Sequence, residues 1–273
     1  MERVREAVAP AREFSPDAVV GIGGGSAMDV AKSVAVLVGC TGDPAEYLSE
    51  PGSIPDSRTT TLTQVPTITG SGSELTSFAT LYVGHHKHSL DHPSARADHV
   101  LIDPDLAAAV PVPTAAASAL DALAQAVEST WAVAATAESG DTAIRALETL
   151  LPPLDVATGR GDFADPGLRA ELARGAALAG VAINTSRTTA AHALSYALTA
   201  RHRPRHRRTA RGTHRPSAPD ARPGRLLHAR RDWQEDLAGS RASNNPRLLS
   251  PDDILTRTSR GSARTVMVGA TRS

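Results

Sequence analysis

The sequence predicts an α/β half followed by an all-α half. Three observations carry that expectation: short β-like runs punctuated by glycine turns, a run of three glycines that joins a strand directly to a helix, and a change after Pro111 to long alanine-rich helical periodicity. In the first half, residues 18–23, 60–66, 77–83 and 98–103 read as strands, and 26–38 as a helix closed by Gly39. That alternation predicts a parallel-type sheet with crossover helices. In the second half, 114–132, 138–151, 165–183 and 188–199 read as helices, with a boundary near Pro111.

Composition is that of a globular α/β protein. The chain has 273 residues, 41% of them hydrophobic, enough for one or two cores. Only 3% are aromatic, so alanine-rich helices must do much of the packing. The single cysteine, Cys40, excludes an internal disulfide and fits a reducing compartment. The charged start (MERVREAVAPARE) lacks the apolar core of a signal peptide, and no apolar run approaches the roughly 20 residues of a membrane helix. A cytoplasmic protein without a membrane partner is expected.

Residues 21–32 (GIGGGSAMDVAK) carry the strongest chemistry. Gly23, Gly24 and Gly25 let the backbone approach a ligand closely, and Ser26 is placed to cap a helix whose free N–H groups attract anions. A dinucleotide pyrophosphate suits such a cradle, although glycine turns also occur without any ligand. A second cluster, residues 67–74 (TITGSGSE), follows the strand at 60–66. Its hydroxyls, Thr67, Thr69 and Ser71, can bond phosphate, ribose or carboxamide, or merely satisfy their own loop.

The ordered motifs GGGSAMDVAK, PTITGSGSELTSFA, Lys87, LIDPDLAAAVP and LDALAQAVES resemble those of the iron-containing, or type III, alcohol dehydrogenases, over about residues 14 to 200. The resemblance implies a Rossmann-like cofactor domain followed by a helical metal domain, the dehydroquinate synthase-like architecture. Residues 1–110 correspond to the first and 111–200 to the second, and both are expected to be incomplete, with the cofactor domain beginning part-way. The first turn, with Gly23, Gly24, Gly25, Ser26 and Asp29, is expected to hold NAD or NADP by its pyrophosphate. Thr67, Thr69 and Ser71 fall on the nicotinamide side, and Lys87 matches a lysine near the cofactor.

The family binds a divalent ion, Fe2+ or Zn2+, through an aspartate, a histidine four residues on, and two histidines 14 apart. Asp121, His192 and His206 match three of these positions, and Gln125 departs from the fourth. A glutamine contributes one neutral amide oxygen, a poorer ligand for iron or zinc than imidazole. Tyr196 stands where a family histidine lies near substrate, and either relays a proton or packs. The implied reaction is hydride transfer between nicotinamide and a small alcohol or aldehyde, in a homo-oligomer. The wording of DALAQAVESTWAV and NTSRTTAAHALSY is nearest to the branch that reduces phosphonoacetaldehyde to 2-hydroxyethylphosphonate. There Arg187 is a candidate phosphonate clamp, with a plain surface arginine as the alternative. A metal-free maleylacetate reductase-like enzyme is the second reading.

His85, His86, His88 and His92 read as a solvated turn rather than a metal cluster. Residues 201–231 contain a single acid, Asp220, and no lysine, and they have no apolar face, so no core is expected there. Their composition is that of GC-rich coding DNA read out of frame; a disordered basic arm for nucleic acid is the less favoured reading. Residues 232–273 form a tail in which NNPR and LSPDDI again resemble the family.

Overall fold

The computed structural model describes residues 1–83 and 86–195, the side chains of His86 and Lys87 excepted. The chain divides into two compact units, Met1–Arg187 and Thr188–Ser273. The second is described only to residue 195, where 190–195 are helical.

The first unit begins with helix α1 (Glu2–Phe14), which the sequence reading did not anticipate. Its signal is slight: Val4 and Val8, one turn apart, are the only buried residues. Strand β1 (Ala18–Gly23) then runs into helix α2 (Gly25–Leu37). A four-residue helix, α3 (Glu46–Ser49), precedes β2 (Thr61–Pro66). Strands β1 and β2 are parallel, and β2 pairs in parallel with the short β5 (His99–Val100). The parallel sheet thus has the order β1-β2-β5.

The strand expected at 77–83 forms, as β3 (Phe78–Val83), but it does not join that sheet. It pairs antiparallel with β4 (His86–Asp91), and the histidine-rich segment expected to be a solvated turn is largely this strand. The physical reason is alternation: Leu81 and Leu90 are buried from the two strands, which gives the hairpin an apolar face of its own. His88 is exposed, whereas His92 is buried, with its ring Nδ1 2.7 Å from Ser94 Oγ. His85 lies outside the described residues.

Helix α2 is held between these layers. Its Ala31 and Ala35 pack on Leu62 of β2, while Val34, Val36 and Leu37 join Val4 and Val8 of α1 and Leu81 and Leu90 of the hairpin. Val20 and Ile22, on the face of β1 turned away from α2, are exposed.

From Pro111 the structure is helical: α4 (Val112–Trp131), α5 (Ala137–Arg160) and α6 (Pro166–Ser186). Alanines at helical spacing, Ala119, Ala122 and Ala126 of α4 and Ala176 and Ala179 of α6, pack with Leu150 and Leu154 of α5. Helix α5 begins at a reciprocal Thr136–Ser139 capping box and continues through Pro152 and Pro153, beyond the end expected at 151. Two prolines lack N–H donors and normally break a helix. Here burial of Pro153, Leu154 and Ala157 on the same helix face offsets that loss. No helix among the described residues is long and apolar enough to cross a membrane.

Candidate functional site

The parallel register places Gly23 opposite Pro66, so the two glycine turns leave adjacent strands at the same, carboxyl, end of the sheet. Open α/β sheets bind ligands just outside that end. The turns touch: the Thr67 amide donates to the Gly23 carbonyl at 2.9 Å. A Cβ on Gly24 would lie 3.2 Å from Ile68 Cδ1, and one on Gly25 3.1 Å from Ser71 Oγ. Gly23 has φ +149 and would drive a Cβ to within 2.7 Å of Ala27 Cβ.

The cap of α2 is Gly24, in extended conformation; Ser26, expected to cap, lies exposed inside the first turn. Ala27 and Met28 N–H both bond the Gly24 carbonyl, so the amides of Gly25 and Ser26 stand at the open end of the helix. No acidic residue occupies that first turn. A bare, glycine-lined helix N-terminus with no competing carboxylate fits an anionic pyrophosphate.

The second turn is clasped from behind by the helices. Gly70 lies against α4, where a Cβ would collide with the Ser118 carbonyl oxygen. Gly72, at φ +62, lies against α6, where a Cβ would meet Gly180 Cα at 2.6 Å. Thr67, Thr69 and Ser71 are half-buried, and an apolar cleft lined by Ile68, Thr69, Ala107, Val110, Ala115 and Phe163 opens beside them.

Asp29 is turned inward. Its carboxylate accepts from Ser73 Oγ at 2.6 Å and from the Thr80 amide at 3.0 Å. One turn on, Lys32 is completely buried and donates to Thr76 Oγ1 at 2.9 Å and the Phe78 carbonyl at 2.8 Å. Burial pulls its pKa down from 10.5 to about 8, against the opposing pull of Asp29, Glu74 and Asp91. Burial likewise pushes the Glu74 carboxyl above its ordinary range. Sequence reasoning missed Lys32 and Glu74. The available sign was a lysine set between Met28 and Ala35 on the apolar stripe of α2.

Asp121 and Gln125 share one face of α4, as their spacing requires. Gln125 Nε2 donates to Asp121 Oδ2 at 3.1 Å and to the Ser71 carbonyl at 3.3 Å, tying this face of α4 to the second glycine turn. Gln125 Oε1 is buried with no partner among the described residues. No group of three or more His, Cys, Asp or Glu able to hold a metal forms among the described residues. His192 belongs to the second unit, where its carbonyl accepts from Ser195 Oγ. The Lys87 side chain, Tyr196 and His206 lie outside the described residues.

Arg187 ends α6 with φ +61, uncommon for a non-glycine residue. Its guanidinium sits over the Phe78 ring at 4.7 Å and bonds Asp91 Oδ1 at 2.8 Å.

A family model for iron-containing alcohol dehydrogenase matches residues 1–104, and one for the C-terminal part of the Fe-containing alcohol dehydrogenase family matches residues 115–211. The chain belongs to the iron-containing alcohol dehydrogenases. It is 36% identical over 205 residues to long-chain-alcohol dehydrogenase 1 of Geobacillus thermodenitrificans, covering 72% of this chain and 50% of the relative. It is 33% identical over 204 residues to the phosphonoacetaldehyde reductase of Streptomyces viridochromogenes, covering 70% and 49%. The chain thus spans about half the length of the curated relatives it matches. A crystal structure of sulfoacetaldehyde reductase from Bifidobacterium kashiwanohense in complex with NAD+ superposes with a TM-score of 0.73, over 93% of this chain and 78% of that one. At 21% identity this is a likeness of fold.

Proposed function

We propose that this chain carries the cofactor-binding and catalytic segments of an NAD(P)-linked alcohol dehydrogenase or aldehyde reductase. The observation that carries the reading is the pair of glycine turns touching at the carboxyl ends of β1 and β2, one of them opening α2. In this reading Gly23, Gly24, Gly25 and Ser26 hold the pyrophosphate through backbone amides. Thr67, Thr69 and Ser71 orient the nicotinamide end, and Lys87 lies near it. The dinucleotide, NAD or NADP, supplies or takes the hydride. Asp121, Gln125, His192 and His206 are the groups that would hold a divalent ion, Fe2+ or Zn2+, which polarises the substrate oxygen when bound. The Asp121 carboxylate is an oxygen donor suited to such an ion, whereas Gln125 turns its Nε2 to Asp121 and would have to rotate its amide to offer Oε1 there. In this reading Tyr196, which stands where a family histidine lies near substrate, relays a proton. A homo-oligomer is the expected assembly.

NADH titration by fluorescence, followed by loss of 340 nm absorbance on adding small aldehydes, tests this reading. Tight saturable binding with aldehyde-dependent oxidation supports it; absence of NADH binding overturns it. A metal-independent, maleylacetate reductase-like reaction is the second reading. It is favoured by the Gln125 amide nitrogen, which faces Asp121 as a hydrogen-bond donor. Turnover that survives exhaustive chelation selects it.

For the substrate, two of the matched proteins reduce two-carbon aldehydes bearing a phosphonate or a sulfonate, by their names. The proposed substrate is phosphonoacetaldehyde, with Arg187 as its anion clamp. Asp91 and Phe78 hold that guanidinium in place, leaving its side chain 28% exposed. Arg187→Ala is expected to weaken phosphonate substrates far more than neutral aldehydes, and equal losses would sink the assignment.

A further inference from the structure

We infer that Asp29 and Lys32 are positioning residues that set the second glycine turn against the first, and thereby the seat of the nicotinamide half of the cofactor. The inference rests on the reading that one dinucleotide spans both turns.

Helix α2 starts at the first turn, so its backbone and the pyrophosphate cradle move as one body. Two side chains on that helix reach across to the segment that follows the second turn. Asp29 takes the Ser73 hydroxyl and the Thr80 amide, and Lys32 takes the Thr76 hydroxyl and the Phe78 carbonyl. Four residues between 73 and 80 are therefore bonded to α2 by two side chains. Lys32 Nζ also lies 3.9 Å from Asp29 Oδ1 and 5.9 Å from the Phe78 ring centroid, so the two anchors support each other. An ammonium that is fully buried is costly unless every proton is engaged. A methionine would fill the same volume without that cost, which is why a lysine here points to a task other than packing. The task the geometry offers is orientation: the loop that Lys32 and Asp29 hold begins at Gly72, immediately after Thr69 and Ser71. Behind the loop, Gly70 and Gly72 abut α4 and α6, so the α2 anchors fix it on the remaining side.

Binding of ADP-ribose and of NADH to the full chain separates this role from simple structural support, since ADP-ribose carries the pyrophosphate but no nicotinamide. Lys32→Met is expected to raise the NADH dissociation constant about tenfold and leave that of ADP-ribose within about twofold, with Lys32→Arg restoring part of the loss. Thr76→Val, which removes one Lys32 partner at nearly constant shape, is expected to show the same selective loss and serves where Lys32→Met does not fold. Equal weakening of both ligands, or no change in either, overturns the inference. Wild-type chain that binds ADP-ribose as tightly as NADH also overturns it, while leaving the pyrophosphate cradle intact. Failure of the wild type to bind ADP-ribose removes the cofactor reading itself.

Discussion

Alanine substitutions at Gly72 and Gly180 test how the second glycine turn is held. The two glycines face each other: a Cβ on Gly72 falls 2.6 Å from Gly180 Cα, and a Cβ on Gly180 falls 2.9 Å from Gly72 Cα. Both contacts are with backbone, so neither can be relieved by turning a side chain. Forcing a methyl into such a contact costs about 1–3 kcal/mol. Gly72 bears a second cost, because at φ +62 an alanine is left-handed, at about 1–2 kcal/mol. Gly180 is within α6, where alanine regains about 1 kcal/mol over glycine. The expected losses are about 2–5 kcal/mol for Gly72→Ala and about 0–2 kcal/mol for Gly180→Ala. Urea unfolding followed by circular dichroism measures both, provided the slope with denaturant is unchanged. Since each methyl separates the same pair of backbones, the double variant should lose less than the sum. Equal losses at the two sites, or a Gly72→Ala variant as stable as wild type, would refute the proposed contact.

Two further outcomes follow from the site. Lys32 has a folded pKa of about 8 against an ordinary 10.5, with Asp29, Glu74 and Asp91 facing it. The unfolded chain binds more protons between those values, so wild-type stability relative to Lys32→Met should be level below pH 8 and rise by about 2 kcal/mol by pH 9.5. Urea midpoints at pH 7.5 and 9.5 check this, and a constant difference would contradict it. Replacing Gln125 by histidine supplies an imidazole beside Asp121 and should tighten Zn2+ binding at least about tenfold by calorimetry. An unchanged isotherm would show that position 125 does not face the ion.

The sequence by itself determined the local features. Three glycines between an apolar run and a helix can form little other than a strand–turn–helix cradle, and alanines spaced by three and four in α4 and α6 specify helices that pack closely. The Asp121–Gln125 pair was legible for the same reason, since a four-residue spacing on a helix is itself a geometry. Contacts between distant segments were not legible. Whether 78–83 joins the parallel sheet or folds back on 86–91 depends on which partner offers an apolar face, and periodicity along one strand does not say. Helix α5 survives Pro152 and Pro153 because of what it is packed against. Ser26 yielded the cap to Gly24, because the chain enters α2 two residues earlier than composition alone implies. Asp29 and Lys32 read in sequence as a cofactor contact and an unremarked helix lysine. Only the tertiary structure, by laying residues 73–80 along α2, turned both toward the second glycine turn, where burial leaves a charged side chain no choice but to find its partners.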